Sequence, residues 1–441
     1  MTVEPWNPGL RALLTTWHAT GVRAVEPARA TARALRLAPP PDGRPAVLAI
    51  GKAASAMLEG ASAVLDESGV PPSGTLVITD EATPLAPDNR HIVGDHPVPG
   101  ARSTHAAARL AAWIAGLPPH DAVIVLLSGG TSALIAEPLP GISTRALRAA
   151  FEILHELGLD IVTMNAARRQ LTRWSGGRLR SALGARPVTC FVVSDVPTDV
   201  LPAIGSGPLI GGALDVDGLR SRVIRSAVFP RFAPAVRRAL RSAPPPVVTP
   251  TPHSIVASGR SMLHRLADEA VGAGCTVRIM DRPLVGTTTR GAGIVCEALT
   301  AALADPGWDL LAWAGELTVS LDDEHGVGGR CQHFAVELAL MLEAAVEKAP
   351  ALRDVMALAA GTDGRDGPTD AAGAFVTARL PGLLRAAGCD PQQVIRHRDT
   401  HAALERVGAL YRTAPTGTNV ADLILVSRPA APGRRSIPGD G

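Results

Sequence analysis

The sequence has few of the features that are typical of membrane proteins, of secreted proteins or of proteins stabilised by a structural metal ion. Its longest apolar runs, such as 122–127 and 424–426, fall far short of the length needed to span a bilayer. The first ten residues hold no basic region followed by an apolar core, so we expect no secretory signal and a cytoplasmic location. The five cysteines include no CxxC pair, which is typical of free thiols in a reducing compartment and predicts neither a zinc site nor a disulfide framework.

Lysine is almost absent, and this scarcity singles out one position. Lys52 and Lys348 are the only lysines among 43 basic residues, and the other basic residues are arginines. Either chance composition or a need for a compact point charge explains the ammonium within Ala-Ile-Gly-Lys-Ala-Ala. The net charge is only +2 and no basic run with interleaved aromatics occurs, so we do not expect nucleic acid as a partner.

What the chain does have is a repeating pattern of apolar run, glycine- or serine-rich turn, and alanine- and leucine-rich helix. Continuous apolar strands that alternate with helices predict an α/β fold with a parallel sheet covered on both faces. A length of 441 residues predicts two domains, and the proline-rich stretch 241–253 is the best linker. We therefore predict domains at 1–245 and 246–428, followed by a disordered tail at 429–441.

The polar turns after the predicted strands are the candidate ligand-binding loops, because open α/β sheets bind ligands beyond the carboxyl ends of their strands. Ser128-Gly-Gly-Thr-Ser132 follows an apolar run and precedes a helical stretch, so its amides and hydroxyls predict an anion cradle. An ordinary glycine turn with a Ser/Thr helix cap is the alternative. Lys52 stands at a similar turn, where its ammonium is either a surface charge or a ligand for phosphate or carboxylate. Neither a Walker loop nor a G-x-G-x-x-G dinucleotide fingerprint occurs in the chain.

Aspartates at the ends of predicted strands are candidates for holding Mg²⁺ or for accepting the proton of a substrate hydroxyl. Asp195 follows the strand that ends at Val193, and Asp363, Asp366 and Asp370 lie within eight residues of one another. Turns also favour aspartate, but three in so short a span after an apolar run favour a site. The spacing is not that of an EF-hand loop. We assign Mg²⁺ to Asp195 and Asp363.

Two arginines stand in contexts that suit anionic ligands. Arg330 follows Gly326-Val-Gly-Gly and comes shortly after Gly315-Glu316, so it is either a solvated loop arginine or a bidentate ligand for carboxylate or phosphate. Arg168, in Asn165-Ala-Ala-Arg168, lies either on a basic helix face or where it meets an anionic substrate. The candidate substrate- or phosphate-binding residues are therefore Ser128, Gly129, Gly130, Thr131, Ser132, Arg168, Glu316, Asp363 and Asp366.

Several of these segments belong to a series of short motifs that follows one fixed order along the chain. The series is Gly51-Lys-Ala-Ala54, His96-Pro-Val-Pro99, Ser128-Gly-Gly-Thr-Ser-Ala-Leu134, Asn165-Ala-Ala-Arg168, Ser175-Gly-Gly-Arg-Leu179, Ser194-Asp-Val-Pro197, Gly205-Ser-Gly-Pro208, Gly328-Gly-Arg330, Gly361-Thr-Asp-Gly-Arg-Asp-Gly-Pro-Thr-Asp-Ala-Ala-Gly373 and Thr416-Gly-Thr-Asn-Val420. In this order the motifs resemble the glycerate 2-kinase family, whose C-terminal module is called the MOFRL domain. The match extends from about Pro45 to Val426, and its 361–373 stretch is the most specific part.

The resemblance implies a larger Rossmann-like three-layer domain and a smaller α/β MOFRL-type domain, with the site in the cleft between them. It implies phosphorylation of the 2-hydroxyl of D-glycerate, or of a closely related small hydroxy acid, with ATP and Mg²⁺ as cofactors. The catalytic lysine and arginine of the family correspond to Lys52 and Arg330, and Asp195 completes our predicted catalytic set. We expect the small-molecule hydroxy acid and ATP as partners, with no nucleic acid and no membrane, and either a monomer or a homodimer.

The sequence departs from the family pattern at seven polar positions. The family continues Gly-Gly-Arg with Asn-Gln-Glu-Phe, where this chain reads Cys331-Gln-His-Phe. We therefore keep two alternatives to a glycerate kinase. One is a hydroxypyruvate reductase, although the G-x-G-x-x-G fingerprint of a nicotinamide site is absent from the sequence. The other is a non-catalytic or altered-substrate paralogue. The departures are Gly100, Ser175, Gly259, Thr287, Cys331, His333 and Ala421.

Overall fold

The computed structural model describes residues 6–38, 43–80, 90–243, 245, 247–305, 307–319 and 326–429. Contacts divide the chain into two units: a continuous unit, Pro27–Ala257, and a composite unit formed by Met1–Glu26 with Ser258–Gly441. The predicted two-domain α/β organisation is therefore confirmed.

The elements are numbered in chain order. The α-helices are α1 (Pro8–Ala24), α2 (Pro27–Leu37), α3 (Ala54–Glu67), α4 (Ala101–Gly116), α5 (Thr131–Leu134), α6 (Thr144–Glu156), α7 (Ile161–Arg169), α8 (Arg178–Ala182), α9 (Val216–Gly218), α10 (Pro234–Leu240), α11 (Gly259–Gly272), α12 (Thr288–Leu303), α13 (Arg330–Ala345), α14 (Leu380–Ala386), α15 (Pro391–His397) and α16 (Thr400–Arg406). The strands are β1 (Ala46–Ile50), β2 (Gly74–Thr79), β3 (His91–Val93), β4 (Val123–Leu127), β5 (Val188–Val193), β6 (His253–Ala257), β7 (Val277–Ile279), β8 (Leu284–Thr287), β9 (Leu310–Thr318), β10 (Met356–Gly361), β11 (Gly373–Val376), β12 (Leu410–Tyr411) and β13 (Asp422–Ser427). Short 3₁₀ or π turns occupy Leu201–Ser206, Leu219–Ile224, Phe229–Arg231 and Pro350–Asp354.

The sheet of the continuous unit is parallel throughout, as the apolar runs predict. Its strand order is β3-β2-β1-β4-β5-β6. Every residue of β1 and β4 is buried, because strands covered on both faces need apolar side chains on both. One face packs against α4 through Ala107, Leu110 and Ile114.

The order of these strands fixes where a ligand would bind. After β1 the chain continues to β2 on one side, whereas after β4 it continues to β5 on the other. The carboxyl ends of β1 and β4 therefore flank the point where the winding direction reverses, and Ile50 lies opposite Leu127 there. Doubly wound sheets bind ligands at such a point.

The sheet of the composite unit corrects the expectation of a uniformly parallel architecture. Its order is β12-β11-β10-β13-β9-β7, with β8 also paired to β9. The pairs from β12 to β9 are antiparallel, and only β7 and β8 pair parallel to β9. Fully buried strands read as continuous apolar runs in either direction, so the runs alone did not reveal the polarity.

The boundaries of the two units differ from the predicted boundary at 245/246. Helix α1 belongs to the composite unit, where a Cβ atom on Gly21 would lie 3.1 Å from Cδ2 of Leu423. Strand β6 pairs parallel to β5, so the stretch 241–253 joins α10 to β6 within the continuous unit. The predicted tail lies outside the described residues beyond Pro429. No helix in the described part of the chain is long and apolar enough to cross a bilayer.

Candidate functional site

Two turns at the carboxyl ends of β1 and β4 are joined by hydrogen bonds. The amide of Lys52 donates to the carbonyl of Gly129 at 2.9 Å, and the amide of Ala53 donates to Oγ of Ser128 at 3.0 Å. Gly51 has a φ of +125°, and a Cβ atom there would lie 2.1 Å from Oγ of Ser128. Glycine is therefore required for the close approach of the two turns.

The hydroxyls predicted to cradle an anion are used to hold these turns together. Thr131 Oγ1 donates to the carbonyl of Ser128 at 2.8 Å, and it also lies 3.2 Å from the carbonyl of Ile50. Ser128 and Thr131 are almost fully buried, at 2% and 1% exposed. Their side chains stabilise the backbone of the turn, so the part of the predicted cradle left for a ligand is the glycine backbone.

Lys52 and His96 both lie over this glycine backbone. A Cβ atom on Gly130 would lie 3.2 Å from Cγ of Lys52 and 3.2 Å from Cδ2 of His96. Lys52 is exposed, so its ammonium is available at the switch point. Burial, together with the nearby charge of Lys52, lowers the pKa of His96 to about 4. His96 is therefore neutral at pH 7 and adds a polar group without adding charge.

Asp195 comes to the same place from the neighbouring strand β5. A Cβ atom on Gly129 would lie 1.9 Å from Oδ2 of Asp195, so the carboxylate rests directly against the glycine. The continuous unit thus brings together Lys52, the turn 128–132 and Asp195, as the positions of the motifs at strand ends predict.

Arg168 lies in the last turn of α7 and is 8% exposed. Its NH1 group is 3.3 Å from Oδ1 of Asn165, its NH2 group is 3.2 Å from Nε2 of His155, and its guanidinium stacks 4.7 Å from the ring of Phe151. Asn165 Oδ1 also accepts from Ser206, whose Oγ is 2.6 Å from Oγ of Ser132. Arg168 is thereby linked to the turn 128–132 and does not lie on an exposed basic face.

Arg330 organises the second group of predicted residues, in the composite unit. It is the first residue of α13 and not a loop residue, which corrects the context inferred from the preceding glycines. NH1 donates to Glu316 Oε1 at 2.8 Å, while Nε lies 2.7 Å from Oδ2 of Asp422. Burial alone would lower the pKa of Arg330, but the charges of Asp422 and Glu316 raise it overall. Arg330 is therefore a fixed cation.

A cavity of about 520 Å³ opens beside this cation. Asp366, 2% exposed, accepts hydrogen bonds from the amides of Cys331 and Gln332 at 3.0 and 2.8 Å, so its carboxylate caps the N-terminus of α13. Asp363 is partly exposed in the wall of the cavity. Predicted site residues that line the cavity are Glu316, Arg330, Asp363 and Asp366.

Asp370, the third aspartate of the 361–373 stretch, does not join this group. It is exposed and forms a 3.0 Å ion pair with Arg412 on the surface. Among the described residues, no three histidine, cysteine, aspartate or glutamate side chains are grouped closely enough to hold a metal ion by themselves. Asp195 and Asp363, the predicted Mg²⁺ ligands, belong to different units.

Sequence reasoning missed three residues that contact the predicted set. Asp422 begins the apolar strand β13 and gave no signal besides its place at a strand end. His96 was inside a recognised motif, but its proximity to Lys52 depends on the sheet. Ser206 follows Gly205 in the Gly-Ser-Gly-Pro motif and has a φ of +60°, a conformation that no sequence pattern revealed.

Three departures from the family pattern have neighbours that explain them. A Cβ atom on Gly259 would lie 3.0 Å from the Cβ of Ala421, so these two departures are in contact and their small sizes match. A Cβ atom on Gly100 would lie 2.7 Å from Oδ2 of Asp95. Asp95 accepts hydrogen bonds from the amides of Arg102 and Ser103 at the start of α4, so it supplies the helix-capping carboxylate there.

Comparison with known proteins extends over both units. The domain of unknown function DUF4147 matches residues 13–241, and the MOFRL family matches residues 309–422. A putative hydroxypyruvate reductase of Agrobacterium vitis is 34% identical over 391 residues, which cover 86% of this chain and 98% of that protein. The D-glycerate 2-kinase of Thermotoga maritima is 30% identical over 386 residues, which cover 86% of this chain and 89% of that enzyme.

A solved structure agrees with these sequence matches. The crystal structure of glycerate kinase from Thermotoga maritima matches with a TM-score of 0.81 and 28% identity, and the match covers 96% of this chain and 100% of that one. The order of motifs, the two family models and the shared fold lead to one conclusion. This chain belongs to the glycerate 2-kinase family, with a DUF4147 domain followed by a MOFRL domain.

Proposed function

We propose that this protein transfers the γ-phosphoryl group of ATP to the 2-hydroxyl of D-glycerate or of a closely related small hydroxy acid. One observation carries the proposal: the exposed ammonium of Lys52 lies at the switch point of a parallel sheet, over the backbone of a glycine turn. Phosphoryl transfer depends mainly on positioning and on neutralising charge at the phosphoryl oxygens. The similarity to the D-glycerate 2-kinase of Thermotoga maritima supports the same chemistry.

Lys52 is assigned to the transferred phosphoryl group. Its stem is held against Gly130, so the ammonium is positioned without being buried. Asp195, against the neighbouring Gly129, is the candidate base for the proton of the acceptor hydroxyl. A carboxylate and an ammonium at one turn can serve deprotonation of the nucleophile and charge stabilisation together.

Arg330 is assigned to a phosphate oxygen in the cavity of the composite unit. Two carboxylates hold it, one fully buried and one, Glu316, with a side chain 43% exposed. An incoming phosphate can replace the exposed Glu316 at NH1 while Asp422 keeps the guanidinium in place. Such an exchange uses the planar fork of arginine, which accepts two oxyanions at once.

Mg²⁺ is expected to enter with the nucleotide. The partly exposed carboxylate of Asp363 in the cavity wall offers the oxygen ligand that Mg²⁺ prefers. Because Mg²⁺ is usually held by one or two carboxylates together with phosphate oxygens, a larger protein cluster is not needed. When bound, the ion neutralises charge on the phosphate oxygens.

A hydroxypyruvate reductase is the second candidate, because one relative at 34% identity carries that name. The sheet order of the continuous unit is the one used by dinucleotide-binding proteins, so the fold alone does not separate the two activities. The first strand-to-helix turn does: it reads Gly51-Lys-Ala-Ala, with a lysine where a dinucleotide site needs close backbone approach through further glycines. This difference favours the kinase.

The decisive experiment assays both activities on one preparation. Purified protein is incubated with ATP, Mg²⁺ and a panel of small hydroxy acids, and the products are located by ³¹P NMR. A second series measures NADH and NADPH oxidation with hydroxypyruvate. We expect 2-phosphoglycerate in the first series and no nicotinamide turnover in the second. Nicotinamide oxidation without phosphoryl transfer would overturn the proposal.

A further inference from the structure

The guanidinium of Arg168 is buried and has no counter-ion among the residues that the structure describes. Arg168 is only 8% exposed, so water solvates its charge poorly. No carboxylate in the described part of the chain lies within ion-pairing distance of it. Two of its five N–H groups are used, toward Asn165 and His155, and Nε is buried with no hydrogen-bond partner. Buried charges are otherwise paired, because an unpaired ion inside a protein is costly.

His155 is fixed as a neutral acceptor for this cation. Its Nδ1 is 2.8 Å from the carbonyl of Phe151, and a carbonyl can only accept, so Nδ1 carries the proton. Nε2 therefore presents a lone pair to NH2 of Arg168. Burial and the charge of Arg168 both lower the pKa of His155, which keeps the ring neutral at pH 7. The ring orients Arg168 and does not cancel its charge.

Asn165 is oriented in the same way from the other side. Its Nδ2 donates to the carbonyl of Ala203 at 2.6 Å, which turns Oδ1 toward Arg168. Ser206 uses its single proton on that Oδ1, so Ser132 is the donor in the 2.6 Å contact between the two serines. The chain of hydrogen bonds thus runs from the turn after β4 to the guanidinium, and all of its groups are neutral.

The other charged and titratable groups near Arg168 do not supply the missing anion. His96 feels the charges of both Lys52 and Arg168, and burial with Lys52 holds its pKa at about 4. The carboxylate of Asp80 raises the pKa of His96 slightly against these effects, but it forms no ion pair with Arg168. Burial lowers the pKa of Arg168 to about 10, and no carboxylate among the described residues offsets that effect.

We propose that Arg168 binds the carboxylate of the acceptor acid, and that His155 and Asn165 are positioning residues that hold its fork. The proposal rests on the function proposed above and names the group that distinguishes a hydroxy acid from a simple alcohol. A planar guanidinium with Nε and further N–H groups unused matches a carboxylate in bidentate fashion. Lys52 is compact and exposed and suits phosphate better. Arg168 would then bind the carboxylate of the acceptor, and Lys52 would bind the phosphoryl group.

The neighbouring Arg169 provides a matched control. It is 1% exposed, and its terminal nitrogens donate to three backbone carbonyls, those of Pro202, Ile210 and Gly212, at 3.1, 2.8 and 2.9 Å. Its donors are consumed by the fold, whereas those of Arg168 are not. Arg169→Met should therefore lower the melting temperature, whereas Arg168→Met should leave it unchanged or raise it, since an unpaired buried charge is removed.

The test measures binding separately from turnover. Isothermal titration without ATP compares the wild type with Arg168→Met for D-glycerate, D-lactate, hydroxypyruvate and glycerol, and a further arm uses a non-hydrolysable ATP analogue with Mg²⁺. We expect the affinity of Arg168→Met for the three carboxylates to fall about 10- to 100-fold, the range for hydrogen bonds to a charged group. Affinity for the ATP analogue should stay within about twofold. Arg168→Lys, which keeps the charge but loses the fork, should fall nearly as far.

Each remaining outcome decides the matter. Loss of ATP-analogue affinity with carboxylate affinity retained would assign Arg168 to phosphate and overturn the proposal. A wild type that binds none of the carboxylates, or an Arg168→Met variant that binds them normally, would overturn it too. If Arg168→Met unfolds, Arg168→Lys supplies the same comparison in a folded protein. Carboxylate binding that depends on Arg168 in a protein without kinase activity would keep this assignment and reject the proposed function.

Discussion

Arg330 and Asp422 tie the first residue of α13 to the first residue of β13, with Nε 2.7 Å from Oδ2 and NH2 2.9 Å from Oδ1. The side chain of Asp422 is 2% exposed, and its burial raises its pKa while Arg330 lowers it. The pair therefore has a structural role in addition to the catalytic role proposed for Arg330. It also explains why the cation keeps its position beside the cavity.

Arg330→Ala should lower the free energy of unfolding by about 3–5 kcal/mol, because it leaves the buried carboxylate of Asp422 without its partner. The double change Arg330→Ala with Asp422→Asn should recover part of that loss, since no buried charge is then stranded. Urea denaturation of both variants measures the difference. Arg365→Ala, at an exposed residue in the same cavity wall, is the control and should unfold like the wild type. Equal stability of Arg330→Ala and the wild type would contradict the structural role.

Lys52→Arg should lower kcat at least about 100-fold, although the charge is kept. A guanidinium is planar and larger, so it cannot replace a compact ammonium among phosphate oxygens, and one transition-state contact is commonly worth that factor. The melting temperature should not change, because Lys52 is exposed. Lys348→Arg changes the other lysine, also exposed, and should keep full activity. Near-wild-type turnover of Lys52→Arg would make Lys52 an ordinary surface lysine.

Asp366 should make the stability of the protein depend on pH. Burial raises its pKa from 3.8 to about 7, although the amides of Cys331 and Gln332 oppose the rise. Between about pH 4 and 7 the folded protein keeps a proton that the unfolded chain has released, so this residue's contribution to stability falls as the pH rises through that window. The slope is at most about 1.4 kcal/mol per pH unit.

The measurement compares the wild type with Asp366→Asn, which cannot titrate. Unfolding free energies at pH 5, 6, 7 and 8 should show the wild type losing stability relative to the variant as the pH rises, with little further change above about pH 8. A difference that stays constant over this range would show that the amides keep Asp366 ionised throughout.

The sequence predicted best where the chemistry is local. Strands β1 and β4 are apolar runs, and Lys52 and Ser128 lie within two residues of their ends, so the sequence located both turns. The contacts that tune the site join residues far apart in the chain: Asp422 lies 92 positions from Arg330, and Ser206 lies 74 from Ser132. The spacing of apolar residues along the sequence does not predict which distant residues come into contact. For the same reason the antiparallel pairing of β9 with β13 appeared only in the structure.

The roles of the hydroxyls could not be decided from the sequence for a related reason. A glycine turn with Ser and Thr predicts either an anion cradle or a capped turn, and both readings use the same residues. The structure gives the hydroxyls of Ser128 and Thr131 to backbone groups of the two turns. Which partner a hydroxyl chooses depends on how close the neighbouring strand lies, and that distance is set by Gly51 through its φ of +125°.

His333 stands where the family has a glutamate. It lies beside Glu337, one turn further along α13, so the charge at 333 affects the charge at 337. His333 lines the cavity, and its Nε2 is 3.6 Å from Oε1 of Glu337, with side chains 9% and 8% exposed. Burial lowers the pKa of His333 more than Glu337 raises it. The imidazole should therefore stay neutral from pH 7 to 8, and acceptor preference should not change with pH in that range.

Restoring the family residues by Cys331→Asn with His333→Glu should shift acceptor preference toward D-glycerate, measured as the ratio of kcat/KM for D-glycerate to that for each other acid. The same change should lower the melting temperature, because it places two carboxylates four residues apart on one buried face of α13. Adding Glu337→Gln removes that repulsion and should restore the melting temperature. If the triple variant is stable but its acceptor preference equals that of the wild type, His333 only packs against Glu337. If preference shifts in both variants, the residues at 331 and 333 together select the acceptor, and the two departures here favour an acid other than D-glycerate.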